Sequence, residues 1–298
     1  MKMKNIITQL RRCKDNLLSI DEHIAKDVSL QLYQQSIITS NELGVLTDAT
    51  DGIPIVVSLT SYGVRLQKVS ITIESLMRQT VKPHKIVLSI SENIDDNELP
   101  VSLKLQAKRG LEINRCKDVR SYTKLLPALR KYPDAAIITV DDDMIYPFDF
   151  IEYLVKAFVA EPKQIHFYYG HSIGVKNGEL TSYNEWVKET AEGASVFNLP
   201  TGVDGILYPP NSLDNEVFNE DVFLKICPSA DDIWFKAMSL KKGTLCHRVQ
   251  RALNPRAEFI AMDSSNITSL ASVNRVQELN DIQAKNVFSR YNLLEKLK

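Results

Sequence analysis

The run Ile137-Ile138-Thr139-Val140-Asp141-Asp142-Asp143-Met144-Ile145-Tyr146-Pro147 places the tightest constraint on the fold, because an apolar, β-branched strand passes directly into three carboxylates. A strand apolar on both faces belongs inside a covered sheet, and its carboxyl end delivers the acids to the mouth of a cleft. Three adjacent carboxylates repel one another, so a hard divalent ion such as manganese or magnesium is their natural oxygen-bound compensation. An Asp cluster after a strand can also do no more than cap the next helix. Here Asp149, beyond Pro147, is placed to cap the apolar-periodic stretch Phe150 to Phe158, which leaves Asp141, Asp142 and Asp143 for a functional role.

The segments around this run alternate between strand and helix. Strand Ile53 to Leu59, loop Thr60 to Arg65, helix Lys68 to Gln79 and strand Lys85 to Ile90 predict a right-handed βαβ unit that binds its ligand at the strand C-termini. A helix to about Arg109, a short strand Leu111 to Asn114 and a helical stretch Ser121 to Lys131 lead to strand Ala135 to Val140. Beyond the acids follow helix Phe150 to Phe158, strand His166 to Gly170, and a polar hairpin or loop from Gly174 to Phe197. A small-residue turn from Pro200 to Gly205, a helix to about Leu240 and closing helices from Val273 complete the pattern. At the other end, Ile6, Leu10, Leu17 and Ile24 recur at helical spacing and Leu30, Tyr33 and Ile37 continue a second stripe, predicting helix from 5 to about 38. The expected division is an N-terminal helical extension over 1–50, a main α/β domain over 51–262 and a C-terminal helical segment over 263–298.

Charge narrows the partners. The 36 basic and 37 acidic residues give a net charge of -1, so no overall basic field points to nucleic acid. Cys13, Cys116, Cys227 and Cys246 are scattered without metal-ligand spacing, as expected of reduced thiols in a cytoplasmic protein. Arg11, Arg12, Lys14 and Asp15 interrupt any signal-peptide core, and no stretch has the length of a membrane span. Lys2, Lys4, Arg11, Arg12 and Lys14 leave peripheral association with the inner membrane face open, opposed by Asp15, Asp21 and Glu22. The terminal helices are expected to pack on the main domain or on a second copy in a homo-oligomer.

Further residues can carry chemistry. Arg65 offers a planar fork suited to an oxyanion and Tyr62 an aromatic ring, unless they serve as a salt-bridge partner and a loop anchor. Asp231-Asp232, ahead of Ile233-Trp234-Phe235, supplies carboxylates able to act as a general base, unless one of the pair only caps the helix. Asp204, between Gly202 and Gly205, lies in a turn that allows close backbone approach to hydroxyl groups. Trp234 is either a sugar platform or a core residue, and Lys124 either a phosphate ligand or a solvated cation.

Taken in order, Val57-Ser58-Leu59-Thr60-Ser61-Tyr62-Gly63-Val64-Arg65, the passage Gln79 to Val87, the block from Ser121 to Asp143, Thr201-Gly202 and Ala230-Asp231-Asp232-Ile233 resemble a GT-A-type glycosyltransferase over about residues 53 to 250. The Gln79 to Val87 passage is similar to family 2 glycosyltransferases, and the later blocks are similar to the exostosin-like transferase domain. The resemblance implies an α/β fold with a GT-A-type mixed, mostly parallel sheet flanked by helices, and N- and C-terminal helical appendages. It also implies a metal-dependent enzyme that moves a hexosyl or N-acetylhexosaminyl group from a nucleotide-sugar, UDP-linked by analogy, to a hydroxyl of a glycan or lipid-linked glycan in bacterial surface-polysaccharide synthesis. In its terms Asp143 is the leading ligand of manganese or magnesium, Asp141 lies near the ribose or the metal, and Asp142 lies near the donor sugar. Thr60, Tyr62, Arg65 and Lys124 bind the donor, Asp204 and Trp234 the acceptor, and Asp232, with Asp231 second, is catalytic. Family 2 likeness implies inversion and exostosin-like likeness retention. The alternatives are a sugar nucleotidyltransferase, whose glycine-rich loop is missing because Thr60 to Arg65 holds only Gly63, and a non-catalytic glycan-binding protein on a transferase fold.

Overall fold

In the computed structural model, which describes residues 24–47, 52–190, 192–250, 259–262 and 279–297, the acid-bearing strand forms inside an eight-stranded sheet. The strands of the chain are β1 (Ile55–Thr60), β2 (Lys85–Ser91), β3 (Leu111–Cys116), β4 (Ala136–Thr139), β5 (Met144–Ile145), β6 (Ile165–Phe167), β7 (Gly170–Ser172) and β8 (Val175–Lys176). They continue with β9 (Glu179–Leu180), β10 (Val187–Lys188), β11 (Gly193–Ser195), β12 (Asn198–Pro200), β13 (Ile206–Tyr208), β14 (Cys246–Arg248) and β15 (Ile260–Ala261). The main sheet runs β11-β14-β6-β13-β4-β1-β2-β3. Strand β13 is antiparallel to both neighbours and β11 to β14, while the other contacts are parallel, so the sheet is mixed and mostly parallel, as the GT-A-type resemblance implies.

Apolar runs explain the centre of this sheet. All four residues of β4 are buried, and β1 is buried from Ile55 to Leu59, because one apolar cluster covers each face. Every residue of α2 (Val69–Met77) is buried as well. The helix over residues 24–39 (α1) and α3 (Val101–Ala107) contribute to that cover: Leu30, Tyr33 and Ile37 cluster with Ile71, and Gln106 reaches back to α2. Glu74 of α2 is fully buried and takes Arg109 Nη1 at 3.0 and 2.8 Å, Gln106 Nε2 at 3.0 Å and the Ser36 hydroxyl at 2.7 Å. A buried carboxylate so completely satisfied fixes α1 and the edge of β3 in one register.

Three local outcomes differ from expectation. Ser121 to Lys131 is not one helix: a 3-10 turn over Arg120–Lys124 breaks at Leu125 before α4 (Leu126–Lys131). Pro127 requires the first turn of an α-helix, and the break turns Lys124 inward. Asp149 stands at the N-cap of α5 (Phe150–Ala160), yet its side chain makes no capping hydrogen bond to it. The segment from Gly174 to Phe197 does contain a hairpin, β8–β9, turned by Asn177 and Gly178 with positive φ of 53° and 81°.

The C-terminal part belongs to the core. Helix α6 (Glu220–Ile226) and α7 (Asp231–Lys242) pack beneath helix Leu279–Arg290, whose Ala284, Val287 and Phe288 join the cluster that holds Trp234. Gln283 accepts a hydrogen bond from Ser229 N at 2.9 Å and donates to its hydroxyl at 3.1 Å. The expected helix over residues 5–23 and the one beginning at Val273 lie wholly or partly outside the described residues. Among the described residues no helix is long and apolar enough to cross a membrane.

Candidate active site

Strands β1 and β4 run parallel with Ser58 opposite Thr139, so the loop after Thr60 and the acid run leave the sheet from the same end. Their side chains interlock there. Ser61 donates to Asp142 Oδ2 at 2.6 Å, Arg65 Nη1 donates to Asp142 Oδ1 at 3.0 Å, and Thr72 donates to the Asp142 carbonyl at 3.0 Å. Asp142 is only 6% exposed; burial pushes its carboxyl up while Ser61 and Arg65 hold it down. Both its oxygens accept hydrogen bonds within the protein, so Asp142 anchors the Ser61–Arg65 loop.

Asp141 and Asp143 flank this anchor with side chains 32% and 29% exposed. Asp143 Oδ2 lies 3.5 Å from Arg65 Nη1, and its backbone carbonyl is held by Met262 N at 2.8 Å. Burial, then Asp141, raises the Asp143 carboxyl above its ordinary value. The backbone N–H of Asp141 donates to the fully buried Tyr146 hydroxyl at 2.9 Å. Arg65 is kept charged: burial alone would lower its pKa, and Asp142 and Asp143 more than reverse that.

Lys124 joins this motif to the second one. Its buried ammonium lies 3.4 Å from Asp141 Oδ1 and 3.2 Å from Asp231 Oδ2. Burial opposes its charge, but Asp231, Asp141 and Asp232 outweigh it and hold the pKa well above the usual lysine value. Asp231 and Asp232 form the first turn of α7 with Ala230 as N-cap, where the helix dipole favours negative charge. Asp232 Oδ2 accepts from Gly202 N at 3.3 Å, and Oδ1 has no hydrogen-bond partner among the described residues. Burial, then the neighbouring Asp231, pushes the Asp232 carboxyl up to about 7. Gly202 closes the group so tightly that a Cβ there would stand 2.5 Å from Lys124 Nζ and 3.5 Å from Asp232 Oδ1.

The remaining expected residues divide. Tyr62 is 60% exposed beside Arg65 and offers a free ring face. Thr60 donates its hydroxyl to Ser89 O at 2.8 Å, a bond that ties β1 to β2 rather than pointing into the cleft. Asp204, 5% exposed, lies in the 3-10 turn Gly202–Asp204, and with Asp141 and Asp143 it adds to the upward shift that burial imposes on Tyr146. Trp234 corrects an expectation: its ring is fully buried against Phe223 and Tyr291 and its Nε1 donates to Val217 O at 3.1 Å, so it presents no platform to a sugar. Sequence reasoning missed Ser61, Thr72 and Tyr146, which position the acids. Ser61 and Tyr146 lie inside the quoted motifs, whereas Thr72 carries no local signal.

Asp141 and Asp143 suit a divalent cation as far as their donors go, being partly exposed oxygen ligands. Among the described residues no cluster of three or more histidine, cysteine or carboxylate side chains converges on a metal position. Magnesium-type ions are commonly held by one or two carboxylates and completed by phosphate oxygens and water, so this pair fits such a site and not a closed protein cage.

No protein-family profile matches the sequence, and no curated protein matches it. Among solved structures the chain is similar to the mannosyltransferase PcManGT from Pyrobaculum calidifontis in complex with GDP-Man and Mn2+, at 15% identity, covering 94% of this chain and 79% of that one with a TM-score of 0.47. It is similar to residues 1–349 of S. aureus TarS at 11% identity, 82% and 70% coverage and a TM-score of 0.49. It is also similar to CMP:2-keto-3-deoxy-manno-octonic acid synthetase complexed with CTP, at 10% identity, 76% and 98% coverage and a TM-score of 0.41. Likeness at this level transfers no activity, so the chemistry rests on the cleft itself.

Proposed function

We propose that this cleft transfers a glycosyl group from a nucleotide-sugar, UDP-linked, to a hydroxyl of a glycan acceptor, on a GT-A-type sheet. The observation that carries this reading is Lys124, whose ammonium stands between Asp141 at 3.4 Å and Asp231 at 3.2 Å and so joins two acidic motifs in one site. One motif faces a leaving diphosphate and the other an acceptor. Arg65 and Lys124 supply positive charge for the phosphates, and the exposed Tyr62 ring supplies a surface for the base. A divalent cation on Asp143 and Asp141 would neutralise charge growing on the leaving group.

Asp232 takes the acceptor proton in this scheme. Its carboxyl, pushed up to about 7, changes protonation at neutral pH, the range in which a general base is effective. Gly202 N and Lys124 hold it and its neighbour in place before substrate arrives. A base acting directly on the acceptor hydroxyl goes with inversion at the sugar carbon, and a bacterial surface-polysaccharide intermediate is the acceptor we infer. Residues 51–262 would supply the catalytic groups, braced by the helix Leu279–Arg290, with the protein acting at the cytoplasmic membrane face.

A screen of nucleotide-sugars and glycan acceptors, with and without Mn2+, tests this reading by product NMR. Release of nucleoside diphosphate and a product anomer opposite to the donor's are expected. Pyrophosphate release from a sugar phosphate and a nucleoside triphosphate would instead establish nucleotidyl transfer, and donor binding without turnover of any acceptor would establish a binding protein.

A further inference from the structure

Asp141, Asp142, Asp143, Asp231 and Asp232 crowd one cleft, and Arg65 and Lys124 are the cations set against them. Their attachments are unequal. Arg65 is fastened to Asp142 at 3.0 Å, and Asp142 is itself fixed by Ser61 at 2.6 Å and Thr72 at 3.0 Å. The contact from the same Nη1 to Asp143 Oδ2 is longer, 3.5 Å, and is made to a carboxylate that is 29% exposed. The Nε of Arg65 is buried and makes no hydrogen bond among the described residues, so the guanidinium keeps a further donor in this site.

We infer that Arg65 is a built-in antagonist of the divalent cation, whose grip on Asp143 a diphosphate releases. This rests on the functional reading given above. The guanidinium and a metal ion seek the same oxygen, Asp143 Oδ2, and both cannot hold it closely because their charges repel. A diphosphate offers the guanidinium several oxygens in the fork geometry that a single carboxylate oxygen does not, and so draws it off Asp143 while Asp142 keeps its hold. Cation and nucleotide therefore bind together: each is weak alone, and each raises the affinity of the other by the same factor. Adventitious loading by a metal without donor is thereby suppressed.

The test is Mn2+ binding to the full chain, followed by the EPR signal of free Mn2+, for wild type, R65Q and R65K, alone and with inorganic pyrophosphate. Wild type is expected to bind Mn2+ weakly alone and more tightly with pyrophosphate. R65Q is expected to bind Mn2+ alone about tenfold more tightly, the scale of one charge-assisted contact, and to lose most of the pyrophosphate enhancement. R65K keeps a charge beside Asp142 but lacks the fork, so its affinity for Mn2+ alone should fall between the two; it also serves if R65Q does not fold. Equal affinity for Mn2+ alone in wild type and R65K, or weaker binding by folded R65Q, overturns the inference and leaves the metal site standing. Absence of Mn2+ binding in every protein with pyrophosphate removes the metal site, and this inference with it.

Discussion

Replacing Lys124 by methionine keeps the apolar stem and deletes the charge that stands between the two acidic motifs. Its side chain is 11% exposed, as is that of Asp231, whereas Asp141 is 32% exposed. Breaking a buried ion pair by removing one partner costs about 3–5 kcal/mol. Asp141 can regain water and Asp231 cannot, so the lower end of that range, about 3 kcal/mol, is expected. For a chain of this size that corresponds to a fall in Tm of about 5 °C near neutral pH. The pH dependence then identifies the cause. Lys124 has a raised pKa, so its stabilising charge is present throughout pH 5–8 and contributes no slope there. The slope comes from Asp232: its carboxyl is already raised, Lys124 holds it down, and without the ammonium it rises further. An acid whose folded pKa is raised destabilises the fold increasingly as pH climbs from its unfolded value toward its folded one. Thermal denaturation by circular dichroism at pH 5, 6.5 and 8 should show the gap between wild type and K124M widening with pH. A gap that stays constant, or one under about 2 °C at pH 8, would refute the assignment of Lys124 as counterion to Asp231 and Asp232.

With Asp232 pushed up to about 7, kcat/KM should rise with pH below neutrality and level off above it. D232N should erase that inflection and lower kcat by roughly 10²–10⁴-fold, as pH-rate profiles of both proteins would reveal. Asp143 is partly exposed, so D143N should lower kcat/KM by about 10²-fold or more while a melting curve shifts by no more than about 2 °C. For Trp234 the pattern is reversed: W234F loses the bond to Val217 O and core volume, costing about 1–3 kcal/mol by denaturant titration. Its KM for acceptor should not change.

The strands were legible because burial on both faces writes a continuous apolar run, and Ala136 to Thr139 is such a run with the acids directly behind it. The break at Leu125 was not, although Pro127 announced it, because a helical pattern of apolar residues persists through a change of helix type. Within the site, the sequence ordered the motifs along the chain but could not rank neighbouring carboxylates. Asp142 and Asp143 are alike in sequence, and only Ser61 and Arg65, arriving from a strand nearly eighty residues earlier, make one an anchor and leave the other open. Trp234 failed for a related reason: an aromatic ring one turn from a cleft and one turned into the core have the same spelling, and packing against Phe223 and Tyr291 decides between them.

The bonds between Gln283 and Ser229 tie together positions 54 residues apart, and Ser229 lies just ahead of Asp231 and Asp232. On the ribosome, the loop that holds Asp142 and all strands of the main sheet emerge before the helix Leu279–Arg290 that braces the start of α7. One acidic motif is thus in place while the other still waits for its brace.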